Sequence, residues 1–211
     1  MDGVFFCGVP VGCVLAYGLV LDAKKLLREV ERDRHGWRDY ATLRGLRYVG
    51  STKAGPFAVR MQHRLEGRVQ GVPLLCTTGP GILRMPTTSV TTQAPAPIDG
   101  RLYVSCAEVF SQAQEDVSAK RVDTGDPDFD GGTFVVQATE PDAWKDALAA
   151  PVRRALMRMS VSGRQSLNFR CERDLVAVEW LGVEPLPDLV DLACEVLVTA
   201  SALRRRGSVY R

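Results

Sequence analysis

The chain has 211 residues, which is enough for one domain, or for one domain with an appendage. Lysine and arginine number 27 against 25 aspartates and glutamates, so the formal net charge is only +2. This balance argues against a dedicated nucleic-acid binder, which usually carries a strong basic excess, and it excludes an acidic disordered chain.

The first predicted element is an apolar run at residues 3–21 that contains no charged side chain. A membrane-spanning helix needs about 20 mostly apolar residues. The run ends at Asp22, and eight basic residues follow by position 47, which places the following part of the chain in the cytoplasm. We therefore predict a transmembrane anchor helix over residues 1–21 of a single-pass membrane protein whose C-terminal domain is cytoplasmic.

Other interpretations of this run remain open. A cleaved signal peptide would place a lysine or arginine before the run, and neither is present there, although Ala16-Tyr17-Gly18 is a weak cleavage candidate. A lipoprotein signal would need a branched apolar residue where Pro10 stands, three positions before Cys13. The run could also be a buried helix of a soluble oligomeric subunit that packs in a protein interface, but its glycines and Pro10 disfavour a helix in water.

Residues 22–45 have a helical pattern in which charges of both signs surround a patchy apolar stripe. We predict a solvated, charged juxtamembrane helix that breaks or kinks at Gly36. A basic patch in contact with anionic lipid is the alternative, although five acidic residues dilute the positive charge.

From residue 46 the apolar pattern takes the period of two that is typical of strands. Residues 59–69 and 72–77 predict a hairpin that turns at Gln70-Gly71. Strands are also predicted over residues 87–93, 102–106 and 133–138, with a rigid proline-containing connector at 94–100 between the first two.

The C-terminal part alternates between helical and strand patterns. Thr139 resembles a helix cap, and the helix that follows is predicted to divide into two at Pro151. Residues 167–171 and 175–180 predict a second hairpin with Arg173-Asp174 as its turn, and residues 186–203 predict an amphipathic helix that stops at Gly207. We expect residues 46–211 to form a soluble α+β domain, in which two ββ-then-helix units build an antiparallel sheet with helices packed on one face.

Two sets of short stretches are distinctive: residues 125–130 (GDPDFD) with 133–136 and 151–156 (PVRRAL), and residues 37–41 (WRDYA) followed by 45–48 (GLRY). Together they resemble a loose group of uncharacterised bacterial proteins. The resemblance spans most of the chain. It implies an N-terminal membrane anchor before a cytoplasmic α+β domain, and the group has no known activity.

One local pattern suggests a metal site. Asp126, Asp128, Asp130 and Gly131 match the start of an EF-hand calcium loop, where alternate carboxylates surround a hard cation. The loop's twelfth position should carry a bidentate glutamate, but Gln137 stands there. The alternative is a carboxylate-rich turn that enters a strand, with Phe129 anchored in the core.

No recognised catalytic motif is present. The six cysteines show no zinc-like spacing, so we expect buried free thiols, and only His35 and His63 could serve as imidazole bases. We predict a non-enzymatic protein without a cofactor, whose cytoplasmic domain acts as a protein-interaction or scaffold module and binds no nucleic acid. A hydrolase that uses His63 or a cysteine is the enzymatic alternative, and it would need a pocket holding His63 beside a thiol, hydroxyl or carboxylate.

Overall fold

The computed structural model describes residues 31–53, 61–80, 86–106, 119–131, 133–140, 148–161, 166–183 and 185–208. The predicted anchor over residues 1–21 and the first part of the charged segment at 22–45 lie outside these residues. Within the described ranges, no helix is both long enough and apolar enough to cross a bilayer. The described part is an α+β structure built on a large antiparallel sheet, as the sequence predicts.

Four helices and seven strands make up the described chain. In order they are α1 (residues 31–43), β1 (Arg47–Lys53), β2 (Met61–Val69), β3 (Val72–Pro80), β4 (Pro86–Ser105), β5 (Lys120–Arg121), α2 (Pro127–Asp130), β6 (Val135–Ala138), α3 (Ala150–Val161), β7 (Asn168–Leu181) and α4 (Pro187–Ser208). Strands β1 to β4 pair in sequence, β4 also pairs with β6 and β7, and β6 pairs with β5.

The predicted first hairpin is confirmed as β2 and β3. Gln70 and Gly71 form its turn, with φ angles of 50° and 79°. Positive φ at both central residues is the geometry that two-residue hairpins favour, because it matches the twist of the strands. On β2, His63 and Leu65 are buried while the intervening Arg64 is exposed, so the predicted alternation is also correct.

Strands β4 and β7 form a long nested pair. The first half of β4 pairs with the second half of β7, and the second half of β4 pairs with the first half of β7. The β7 segment turns back at Arg173, where φ is 41°, so that the Leu181 amide donates to Ser166 Oγ at 3.3 Å. The predicted reversal at Arg173-Asp174 is therefore present. The two halves of β7 on either side of it each pair with β4, one with the first half of β4 and the other with its second half.

Two of the finer predictions for this region are wrong. Residues 94–100 belong to β4 instead of forming a separate connector. Their prolines are tolerated because the pairing with β7 shifts register between Gln93 and Ile98 and again before Arg101, where regular ladder hydrogen bonds are interrupted. The scheme of two ββ-then-helix units also fails, since the β2–β3 hairpin is followed by another strand, β4.

One face of the sheet carries the hydrophobic core. Leu65, Cys76, Val90 and Val178 are successive register partners across β2, β3, β4 and β7, and all four are buried. Helix α4 contacts β3, β4 and β7, and α3 packs against α4. The buried residues of α4 recur at the helical spacing that the sequence predicted.

Helix α1 belongs to the same core. Trp37 is fully buried, and Tyr40 and Ala41 are almost fully buried. Their spacing of three and four residues places them on one helical face. The predicted solvated helix is therefore wrong for residues 31–43, because only the opposite face meets solvent.

Candidate functional site

The contacts between α1 and the rest of the domain form the first feature of interest, which we name the α1 junction. Trp37 Nε1 donates to the Val183 carbonyl at 3.0 Å, and Tyr40 OH donates to Asp191 Oδ1 at 2.9 Å. Arg44 forms an ion pair with the same Asp191 carboxylate. Burial, together with nearby Cys194 and Asp191, raises the pKa of Tyr40, so its hydroxyl stays protonated and donates. The α1 junction thus fixes α1 to α4 and the preceding loop.

His63 lies beside the α1 junction in a closed aromatic cluster. Its Nδ1 is 2.9 Å from Tyr48 OH, and its ring stacks on Trp37 with 6.0 Å between the ring centres. The His63 backbone amide donates to Thr78 Oγ1 at 2.8 Å. Burial, with a smaller contribution from the charge of Arg34, lowers the pKa of His63 to about 4, so the imidazole is neutral near pH 7.

This environment gives little support to a hydrolase. The hydroxyl that pairs with the His63 ring belongs to a phenol, Tyr48, and His63 itself is only 3% exposed. Burial raises the pKa values of the Cys76 and Cys194 thiols, the latter to about 12, and a protonated thiol is a poor nucleophile. Cys171 is also buried, whereas Cys7 and Cys13 lie outside the described residues.

The Asp-rich turn, residues 123–131, is the second predicted site. Asp126 caps α2, its Oδ1 accepting from the Phe129 amide at 3.4 Å, while its Oδ2 accepts from Arg153 Nε at 3.0 Å. Asp130 accepts hydrogen bonds from the amide and hydroxyl of Thr124 at 2.9 and 3.0 Å. Phe129 is fully buried and anchors the turn in the core.

These contacts favour a structural turn over a calcium loop. Two of the three carboxylates accept hydrogen bonds from protein donors, while Asp128 is exposed. Gly131 also has a local explanation, because a Cβ there would lie 2.4 Å from the Pro127 carbonyl oxygen. Among the described residues, no group of three or more histidine, cysteine, aspartate or glutamate side chains could hold a metal ion. Calcium binding at Asp126, Asp128 and Asp130 stays a prediction.

Two clefts of about 380 and 420 Å³ lie where the chain enters the Asp-rich turn. Both include Val122 and Asp123, the first together with Leu148 and Arg153, and the second with Phe134. Arg153 is held in place by Asp126 and by the Leu148 carbonyl at 2.6 Å. Sequence reasoning did not predict these clefts, because they arise where β5, α2 and α3 meet.

Positive charge gathers where α1, β1 and β2 meet, at one edge of the sheet. We name this region the basic edge and define it by five exposed arginines. Arg32 and Arg38 lie on α1, which packs on the core face of the sheet. Arg64 and Arg68 alternate with the buried side chains of β2 and, together with Arg47, lie on the opposite face at the same edge. The guanidinium of Arg38 lies 5.4 Å from the centre of the Tyr48 ring, and Glu66 forms ion pairs with both Arg47 and Arg64. These arginine contacts lower the pKa of Glu66, which is therefore ionised. Sequence analysis found only the part on α1, because β1 and β2 join this surface through folding.

The opposite edge of the sheet is acidic. The described residues from 119 to 140 carry two cations, Lys120 and Arg121, against five carboxylates in the Asp-rich turn and at Glu140. Since β1 and β5 are the two ends of the strand order, the charge of the domain is distributed unevenly across the sheet.

Comparison with known proteins gives a fold and no family. No protein-family model matches the chain, and no curated protein matches it. Among solved structures, the chain is similar to the crystal structure of the mycobacterial trehalose monomycolate transport factor A, TtfA, with a TM-score of 0.57 and 13% sequence identity. The match covers 84% of this chain and 96% of that one. At this identity the similarity shows a shared fold.

Proposed function

We propose that this protein is a single-pass membrane-anchored factor whose cytoplasmic α+β domain binds another protein and carries out no catalysis of its own. The anchor is the charge-free run at residues 3–21, and the membrane holds the domain through α1.

The observation that carries this proposal is the docking of α1. The apolar run is followed within ten residues by a helix whose Trp37 and Tyr40 are built into the core of the domain. Ten residues span at most about 36 Å when fully extended. The domain would therefore stay next to the bilayer, with α1 as its fixed point of attachment, as suits a protein that meets partners at a membrane.

The shared fold supports the same proposal. TtfA, which is similar over 84% of this chain, is named as a transport factor, and we propose that this chain acts as an accessory factor that assists another protein. Because the shared fold specifies no cargo, we propose no substrate for this chain.

Membrane fractionation of the full chain tests the anchor. We expect the protein to stay in the membrane pellet after carbonate extraction and to be released by detergent. The double substitution Val14→Arg and Leu15→Arg should abolish this retention, because each arginine at the centre of a spanning helix costs about 3 kcal/mol. Val161→Arg with Leu43→Arg is a matched control, since these two side chains are 86% and 72% exposed, and it should fractionate like the unmodified protein.

Two other outcomes would contradict the proposal. A full chain that carbonate releases is not anchored by residues 3–21. If, in addition, the Val14 and Leu15 substitutions cause unfolding or dissociation of an oligomer, the run packs in a protein interface. For the binding role, crosslinking in intact cells should join the domain to a discrete second protein, and a domain that crosslinks only to copies of itself would contradict that role.

A further inference from the structure

We propose that the basic edge rests on the membrane surface and binds the phosphate groups of anionic lipids. This inference builds on the proposed anchor and adds the way the domain is oriented on the bilayer.

The first argument is the sign and size of the charge. The parts of the chain that build this edge, residues 31–50 and 62–69, carry seven arginines against four acidic residues. The surface of the cytoplasmic leaflet is negative, and clustered basic side chains next to a membrane segment are attracted to it. The acidic edge at β5 and α2, which would be repelled, lies at the other end of the strand order.

The second argument is that cations of this edge are free to meet lipid. Arg32 and Arg68 project into solvent, and the guanidinium of the exposed Arg38 makes a cation–π contact with the ring of Tyr48. Glu66 is shared between Arg47 and Arg64, so this cluster retains an excess of one positive charge. Guanidinium groups suit phosphate because their planar donors can form two parallel hydrogen bonds with it.

The third argument is position. Helix α1 contributes Arg32 and Arg38, and it is also the element that the predicted anchor enters after nine intervening residues. Electrostatic attraction at physiological salt falls off over about 8 Å, so a basic surface contributes only when it is held close to the lipid. The docking of α1 keeps Arg32 and Arg38 beside β1 and β2, because α1 cannot swing away from these strands without exposing Trp37. The nine intervening residues bring this edge within reach of the lipid, and the attraction of its arginines would then draw it onto the surface.

The test uses the full chain reconstituted into vesicles that contain photoreactive headgroup analogues. One vesicle set carries a phosphatidylserine probe, and the other carries a phosphatidylcholine probe. Adducts are mapped by mass spectrometry. For peptides from residues 31–69, we expect the phosphatidylserine probe to give about ten times more adducts than the phosphatidylcholine probe, and the preference to vanish in 1 M salt.

Two matched triple variants locate the effect. Arg32→Glu, Arg38→Glu and Arg68→Glu should bring the adduct ratio close to one. Lys120→Glu, Arg121→Glu and Arg154→Glu make the same change of charge at three exposed positions away from the basic edge, and this control should keep the ratio. Equal adduct yields from both probes in the unmodified chain, or an equal loss in both variants, would overturn the inference.

Flotation separates failure of this inference from failure of the anchor. A chain that floats with purely neutral vesicles but shows no preference for the anionic probe is anchored without lipid binding at the basic edge. A chain that does not float with neutral vesicles contradicts the proposed anchor itself. Crosslinking in native membranes gives a further outcome. If residues 31–69 crosslink only to a protein there, the inference is overturned and this edge is assigned to a protein partner.

Discussion

The α1 junction and the Asp-rich turn both hold a charged, polar stretch of sequence against the domain, but they do so by different means. At the α1 junction, large aromatic side chains are buried and their polar atoms reach the Val183 carbonyl and Asp191. At the Asp-rich turn a single aromatic residue, Phe129, is buried, and the carboxylates of Asp126 and Asp130 accept the hydrogen bonds that organise the remainder.

The difference shows that a charge pattern alone does not specify what the charged side chains contact. Mixed charges around α1 suggested a helix in solvent, although Trp37 and Tyr40 fix it to the core. Alternating aspartates suggested a metal loop, although two of them bind protein donors. If this account is correct, apolar truncation should weaken the α1 junction strongly, whereas single polar changes should weaken the Asp-rich turn moderately.

The largest effect is expected from Trp37→Ala. Truncating a fully buried aromatic side chain costs about 3–5 kcal/mol, and this change also removes the donor to Val183. Urea unfolding of the detergent-solubilised full chain measures the loss. Trp37→Phe keeps most of the buried ring and should therefore lose less than half as much free energy of unfolding as Trp37→Ala. A loss below about 0.5 kcal/mol for Trp37→Ala would match a surface residue and contradict the docking of α1.

The next effect is a dependence of stability on pH that arises from His63. Its pKa of about 4 in the folded protein lies below the value near 6.5 of an unfolded histidine, so the unfolded state binds more protons between these values. Stability should therefore fall as the pH falls from 7.5 to 5. Allowing for screening by solvent, we expect a loss of about 1–2 kcal/mol.

Two histidine variants separate this effect from other titrations. His63→Gln should remove most of the loss between pH 7.5 and 5 in urea unfolding. His35→Gln changes an exposed histidine and should leave the loss intact. If His35→Gln removes the pH dependence and His63→Gln does not, the environment assigned to His63 is wrong.

A moderate effect is expected at the Asp-rich turn. Asp130→Asn weakens an acceptor for the Thr124 amide and hydroxyl, and we expect a loss of about 1–2 kcal/mol, because the amide oxygen can still accept but lacks the negative charge that strengthens such hydrogen bonds. Asp128→Asn changes an exposed carboxylate of the same turn and should alter stability by less than about 0.5 kcal/mol. Thermal unfolding of the two variants compares them directly.

The smallest effect sharpens the calcium question. Because Asp126 and Asp130 are already occupied by protein donors, we expect millimolar calcium to leave the unfolding temperature unchanged. Magnesium at the same concentration controls for ionic strength. A rise with calcium that Asp128→Asn abolishes would show that the turn opens to bind the ion, and the structural interpretation of the turn would then be wrong.

The parts of the fold that could be predicted are those coded locally. The β2–β3 hairpin follows from alternation around Gln70-Gly71, and the burial of α4 follows from its apolar period. The continuity of β4 through residues 94–100 could not be predicted, since the pairing that holds it comes from β7, about 75 residues later. The docking of α1 had a signal in the spacing of Trp37, Tyr40 and Ala41, but charge obscured it. The basic edge needed the sheet itself, because it combines α1 with β1 and β2.

Hydrogen exchange on the full chain tests most directly whether α1 is part of the folded domain. The account requires this, because α1 is the element through which the membrane anchor holds the domain. The account predicts that the amides of residues 37–43 are protected to the same degree as those of β2 and β3, and that Trp37→Ala removes protection from α1 before it affects β3. Amides of α1 that exchange at the rate of an isolated helix, while β2 and β3 remain protected, would contradict it. The domain would then be joined to the apolar segment by a flexible connection, with α1 not packed on the sheet.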